Sequence, residues 1–182
     1  MTVGSLRFID RFEHTYFQPG RFKWSDIQFE PESQEYEACR FVLNGKSIIF
    51  RKAKITPTKI GQFVTVWKRP LADDDIMPFD RSDELDFIII HCEDMSVDGD
   101  LVCGQFVFPK DVLVKHNIMS QDGLGGKRGF RVYPDWVTPI AKQAIKTQKW
   151  QSDYFIECSY DPINGYAFSN SEQFMDLLGN KA

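Results

Sequence analysis

Arg51, Lys52, Lys54, Lys59, Lys68 and Arg69 stand in a stretch without a single carboxylate, in a chain whose formal net charge is −4. Cations segregated in this way create a local positive field even on an acidic protein. The chemistry they suit is phosphate binding, with Arg51, Lys54, Lys59, Lys68 and Arg69 as the contacts. Phe63 and Trp67 lie among Thr56, Thr58, Gln62 and Thr65 in the same stretch. Flat rings for base stacking and hydrogen-bonding groups therefore accompany the charge, as a nucleic-acid or nucleotide site requires. The pattern equally fits an edge strand whose lysines prevent strand-to-strand aggregation. A further phosphate contact, Arg128, ends the run Gly123-Leu124-Gly125-Gly126-Lys127-Arg128. That run compares with a phosphate-cradling loop, but it lacks the closing Lys-Ser/Thr and leads into a strand rather than a helix. A mobile basic loop is the alternative.

The acidic counterpart is a group of carboxylates at Asp80, Asp83 and Asp86. Such a cluster is costly unless a cation or basic groups answer it. Taken singly, Asp86 fits the solvent edge of the apolar strand it opens. Other chemistries lack their patterns. His14, His91 and His116 fall on three separate elements, and Cys39, Cys92, Cys103 and Cys158 show no CxxC pairing, so structural zinc is not expected. A serine-nucleophile elbow, a GxxxxGK[ST] loop and a GxGxxG fingerprint are all missing. With 182 residues, 42% of them apolar and 16 of them Phe, the chain can build one ordinary core. Its longest apolar runs, such as Phe87-Ile88-Ile89-Ile90, are of strand length, so no membrane passage is expected. The amino terminus lacks the basic-then-apolar plan of a secretory signal, and the expected location is the cytoplasm.

The elements that must position these residues can be read from periodicity and turn chemistry. Leu6, Phe8, Ile9 and Phe12 suit one face of a short helix. Pro31 starts a second brief helix through Glu35 and Tyr36. Strands over 39–43 and 46–55 flank Asn44-Gly45, the signature of a type I′ hairpin. A strand follows over 62–69, then a central strand over 86–92 that is apolar on both faces and so calls for cover on both sides. A strand over 101–108 runs into a helix over 110–117, and a strand over 129–133 precedes a long helix capped by Thr138 and reaching about Phe155. Lys142, Lys146 and Lys149 occupy one face of that helix, either solvated or part of a polyanion surface. Ser171 caps a last helix over 172–178, closed by Gly179. One α+β domain spanning 1–182, with a mixed sheet and flanking helices, is the simplest organisation.

Several blocks together resemble the MepB family of small bacterial cytoplasmic proteins. They include Thr56-Pro57-Thr58-Lys59, Gly61-Gln62-Phe63-Val64, Trp67-Lys68-Arg69 and Pro78-Phe79-Asp80. They continue with Gly104-Gln105-Phe106-Val107-Phe108-Pro109-Lys110, Arg131-Val132-Tyr133-Pro134, and Thr147-Gln148 with Trp150-Gln151 and Tyr154-Phe155. The resemblance covers roughly residues 30–155. It implies an association with a multidrug efflux operon and with tolerance of nucleoside analogues. It also implies a restriction-endonuclease-like fold, in which carboxylates hold magnesium or manganese and a lysine offsets transition-state charge. On that pattern Glu35 and Asp86 are the metal ligands, Lys54 or Lys110 is the cation, and Gln105 stands where a Glu-x-Lys pair belongs. Val107 takes the place of that lysine, which departs from the pattern. Gln148, Gln151 and Tyr154 loosely match a helix motif of exonuclease relatives, or else hydrogen-bond the ends of the sheet.

Three functions compete on this reading. The first is a nucleic-acid- or nucleotide-processing protein, a metal-dependent nuclease or phosphohydrolase acting on DNA or nucleotides. The second is a non-catalytic module that binds a nucleotide or a drug-like molecule. The third is a regulatory protein whose basic strand docks on an acidic protein surface.

Overall fold

A computed structural model describes residues 22, 23, 25, 27–161 and 165–179. The helix expected over 6–12 and His14 lie outside them. In chain order come β1 (Gln28–Phe29), a single 3-10 turn at Gln34–Tyr36, β2 (Cys39–Leu43), β3 (Lys46–Lys52), β4 (Lys54–Thr56), β5 (Lys59–Thr65), β6 (Trp67–Lys68) and β7 (Met77–Pro78). Next are β8 (Phe87–Met95), β9 (Leu101–Pro109), α1 (Lys110–Lys115) and β10 (Gly129–Val132). The chain then forms α2 (Lys142–Gln151), a 3-10 turn at Ser152–Tyr154, β11 (Phe155–Asp161), β12 (Gly165–Phe168) and α3 (Ser171–Leu177).

Seven strands form a mixed sheet in the order β1-β2-β3-β8-β9-β11-β12, and β10-β5-β4 form a smaller one. This is an α+β fold dominated by its sheet. The Asn44-Gly45 hairpin is present with φ of 50° and 78°, the left-handed pair that a type I′ turn needs. β3 and β8 run parallel, with Ile48 opposite Phe87 and Lys52 opposite His91. β8 and β9 pair antiparallel along their whole length. Ile88, Ile89 and Ile90 are fully buried, as a doubly covered strand requires. One face of the sheet packs with Val64, Phe130 and Val132 of the small sheet and with Trp150 of α2. The other packs with Phe174 of α3 and with Leu178.

Several boundaries differ from those the sequence suggests. The expected 46–55 strand breaks at Ala53, where the chain leaves the large sheet to begin the small one. The long helix starts at Lys142 without a side-chain cap, so Thr138 does not cap it. It ends before Phe155, where β11 begins. β11 and β12 occupy a stretch, 155–168, for which the sequence suggests no strand. For α3 the cap is Asn170, whose Oδ1 accepts the Gln173 N–H at 3.0 Å, rather than Ser171.

Candidate functional site

Most of the basic stretch between positions 51 and 69 is neutralised within the fold. Arg51 is buried, with Nη2 at 2.5 Å from Glu30 Oε2 and Nη1 donating to the Phe50 carbonyl at 2.8 Å. Burial lowers its pKa, and the Glu30 carboxylate opposes that shift. Lys52 lies 2.7 Å from Glu93 and 3.7 Å from Glu37, and Lys54 lies 2.8 Å from Glu35. Lys68 pairs with Asp83, while Arg69 pairs with Glu32 at 2.9 Å and also donates to the Asp74 carbonyl. The answering carboxylates at 30, 32, 35 and 37 come from the segment before β2, distant in sequence from the cations they meet. Of the phosphate contacts proposed in this stretch, Lys59 alone makes no ion pair among the described residues. Trp67 lies beside the Arg69 guanidinium, 5.9 Å from ring centroid to Cζ. Phe63 meets Tyr36 edge-on at 6.4 Å.

The two carboxylates that the resemblance pairs on a metal stand at opposite ends of the central strands. Asp86 Oδ2 accepts the Ser47 N–H at 2.8 Å, at the start of β3 and β8. Glu35 is held by Lys54, beyond the far end of β3, where the Ala53 N–H donates to His91 O. Six residues of strand, roughly 20 Å at about 3.3 Å each, lie between these levels. Glu35 and Asp86 therefore do not share an ion. Lys110 Nζ donates to the carbonyls of Asp83 at 2.7 Å and Arg81 at 3.2 Å, so it ties down a loop. No group of three His, Cys, Asp or Glu side chains suited to a metal ion occurs among the described residues.

The Asp80 and Asp83 pair is answered by donors, which is what makes it tolerable. Asp83 takes Lys68 and the Asp80 N–H. Asp80 accepts from the Ser82 N–H, the Ser120 hydroxyl at 2.7 Å and the Gly123 N–H at 3.1 Å. Those donors, the Ser82 N–H foremost, hold the Asp80 carboxyl well below the usual range. They also pin the glycine-rich run, whose Gly126 N–H donates to Asn117 Oδ1 at 3.0 Å. Gly126 has φ +80°, and a Cβ there would lie 2.7 Å from Pro78 and 2.8 Å from the Ser120 nitrogen. With these N–H groups engaged, the run is tethered rather than free. Arg128 lies exposed beside it.

Gln105 belongs to a buried polar chain across the sheet. Its Nε2 lies 3.3 Å from His91 Nδ1, and His91 Nε2 lies 3.0 Å from Glu93 Oε1, whose other oxygen takes Lys52. The carboxylate on one side assigns the ring proton to Nε2, which leaves Nδ1 to accept from the amide. Burial lowers the His91 pKa, with Glu93 opposing. Gln105 Oε1 accepts no hydrogen bond among the described residues. In this chain His91 and Gln105 do structural work between central strands.

The uncompensated charge lies elsewhere, around a groove of about 880 Å³ between the end of α1, β10 and α2. Lys115, Lys127, Arg131, Lys146 and Lys149 line it against one carboxylate, Asp153. The four lysines are exposed and take no part in an ion pair among the described residues. Helical spacing puts Gln143, Lys146, Thr147 and Trp150 on the wall that α2 contributes. The next face of α2 fastens it to the body. Gln148 donates to the Pro134 and Val137 carbonyls, and Gln151 both accepts the Tyr133 N–H and donates to the Arg131 carbonyl. Gln151 thus hydrogen-bonds the end of β10, and Gln148 the loop that follows it. Arg131 donates to the Gly61 carbonyl and to Thr56, which fixes β10 to the β4–β5 hairpin. Tethering of the glycine-rich run by Asp80 and Asn117 brings Lys127 to the mouth. His116, at the end of α1, lies flat on Trp150 with ring centroids 3.8 Å apart. The lysines of α2 were legible as one helical face. Lys115, Lys127 and His116 gave no spacing signal, because loop tethers bring them together.

Residues 30–157 match the protein family described as MepB-like. A solved structure described as "Crystal Structure of MepB" is similar, with 30% sequence identity and a TM-score of 0.68 over 86% of this chain and 97% of that one. No curated protein matches the chain.

Proposed function

Starting from the chain's membership of the MepB-like family, we propose that it is a nucleic-acid- or nucleotide-binding protein whose contact surface is the groove between α1, β10 and α2. Four exposed lysines that form no ion pair among the described residues, facing one carboxylate, carry this reading. Such a surface attracts a polyanion by releasing its condensed counterions. The mixed sheet, with its parallel β3 and β8 at the centre and cover on both faces, serves in this reading as a restriction-endonuclease-like core. A link with nucleoside-analogue tolerance then runs through binding of nucleic acid or nucleotides in a cytoplasmic setting. Binding is favoured over metal-dependent cleavage by the separation of Glu35 from Asp86 and by Val107 two positions after Gln105.

Single-stranded DNA titrated at several salt concentrations tests the reading. Four neutralised phosphates give a slope of log K against log salt of about −3, and the double variant Lys146→Glu/Lys149→Glu lowers its magnitude by about 1.4. Affinity independent of salt, or unchanged in that variant, refutes the groove. Magnesium-dependent product that disappears in Asp86→Asn would favour the hydrolase instead.

A further inference from the structure

Phe108, Trp150 and His116 form a ladder of rings that climbs out of the core. Phe108 is fully buried, and Trp150 tilts against it at 5.4 Å between centroids. The His116 imidazole then covers the outer side of the indole, 3.8 Å away and only 9° from parallel. Both Trp150 and His116 are half-buried and line the cationic groove. Among the described residues His116 makes no ring contact other than Trp150. The ladder therefore ends on an imidazole face in a groove that bears the exposed Lys115, Lys127, Lys146 and Lys149. Its volume suits one nucleotide-sized ligand.

We propose that this ladder is a base platform, on which an unpaired nucleobase stacks against His116 while its phosphates meet Lys127, Lys146 and Lys149. The proposal rests on the nucleic-acid reading above and narrows it to a ligand class, an unpaired base that carries phosphate. Aromatic stacking is tolerant of base identity because every base has a π-face. It is closed to a duplex interior, where unstacking must come first. The neutral imidazole suits this role. Burial, with Lys115 adding to the effect, lowers the His116 pKa, so at neutral pH the ring is a flat uncharged layer and the lysines supply the charge.

The test compares binding of a labelled oligothymidylate of about twelve nucleotides with that of an abasic strand of equal length. The intact protein is expected to prefer the base-bearing strand by about tenfold, equivalent to about 1.4 kcal/mol. Because His116→Ala alone bares the Trp150 indole as a second stacking face, the double variant His116→Ala/Trp150→Ala, assayed at temperatures where it remains folded, should erase that preference, whereas His116→Phe, which keeps a ring, should retain it. Competition by thymidine triphosphate against inorganic tripolyphosphate identifies the source. Stronger competition by the nucleotide marks a free nucleotide as ligand, and competition by strands alone marks a polynucleotide. Equal binding of the two strands by the intact protein, or a preference that survives in the folded His116→Ala/Trp150→Ala variant, overturns the platform. If that base-indifferent binding still falls in Lys146→Glu/Lys149→Glu, only the platform is lost. If it does not fall, the groove reading is lost too.

Discussion

Arg51 and Lys149 are alike in a sequence and opposite in the folded chain, one buried on a carboxylate and the other exposed on a groove wall. Residue type identifies what a side chain can do, and burial decides whether a ligand can reach it. Removing one partner of a buried ion pair is costly because the other is left uncompensated. Arg51→Ala is therefore expected to lower unfolding stability by about 3 kcal/mol, even though Arg40 stays 2.8 Å from Glu30. Urea denaturation measures the loss, and oligonucleotide affinity of the folded variant should not change. Retained stability with a tenfold loss of affinity would make Arg51 a phosphate contact after all. Gln105 teaches the same lesson, since its partner His91 sits opposite it on the neighbouring strand. Only strand register brings the two together.

At the scale of the element, α2 connects fold to site. Its lysine face was legible from spacing alone, as were the Asn44-Gly45 hairpin, the buried central strand and the strand that feeds α1. Its limits were not, because Phe155 and Ile156 continue an apolar pattern that a helix or a strand can use. They form the start of β11, paired with Phe106 and Gln105. What holds α2 in place is Gln151, fully buried and bonded to Arg131 of β10 and to Tyr133 just after it. Gln151→Ala leaves the half-buried Tyr133 N–H and Arg131 carbonyl without this partner, which costs about 1 kcal/mol. It is also expected to weaken oligonucleotide binding several-fold by loosening the groove wall, at temperatures where the variant remains folded. Thermal unfolding together with binding measures both. Unchanged affinity in a destabilised variant would separate the wall from the site.

For the molecule as a whole, the charge of −4 conceals two basic regions with different fates. The one that is obvious in sequence is mostly neutralised, by carboxylates of the segment before β2 and by Asp83 and Glu93. The other is assembled from the end of α1, the tethered glycine-rich run and α2, and no short stretch of sequence reveals it. No helix among the described residues is long and apolar enough to cross a membrane. Photocrosslinking of a bromouracil-substituted single strand at low salt, followed by peptide mapping, locates the contact directly. Adducts are expected on the peptides that carry His116 and Trp150. Adducts confined to the stretch from Lys59 to Arg69 would rule out the groove and return the interface to Phe63 and Trp67.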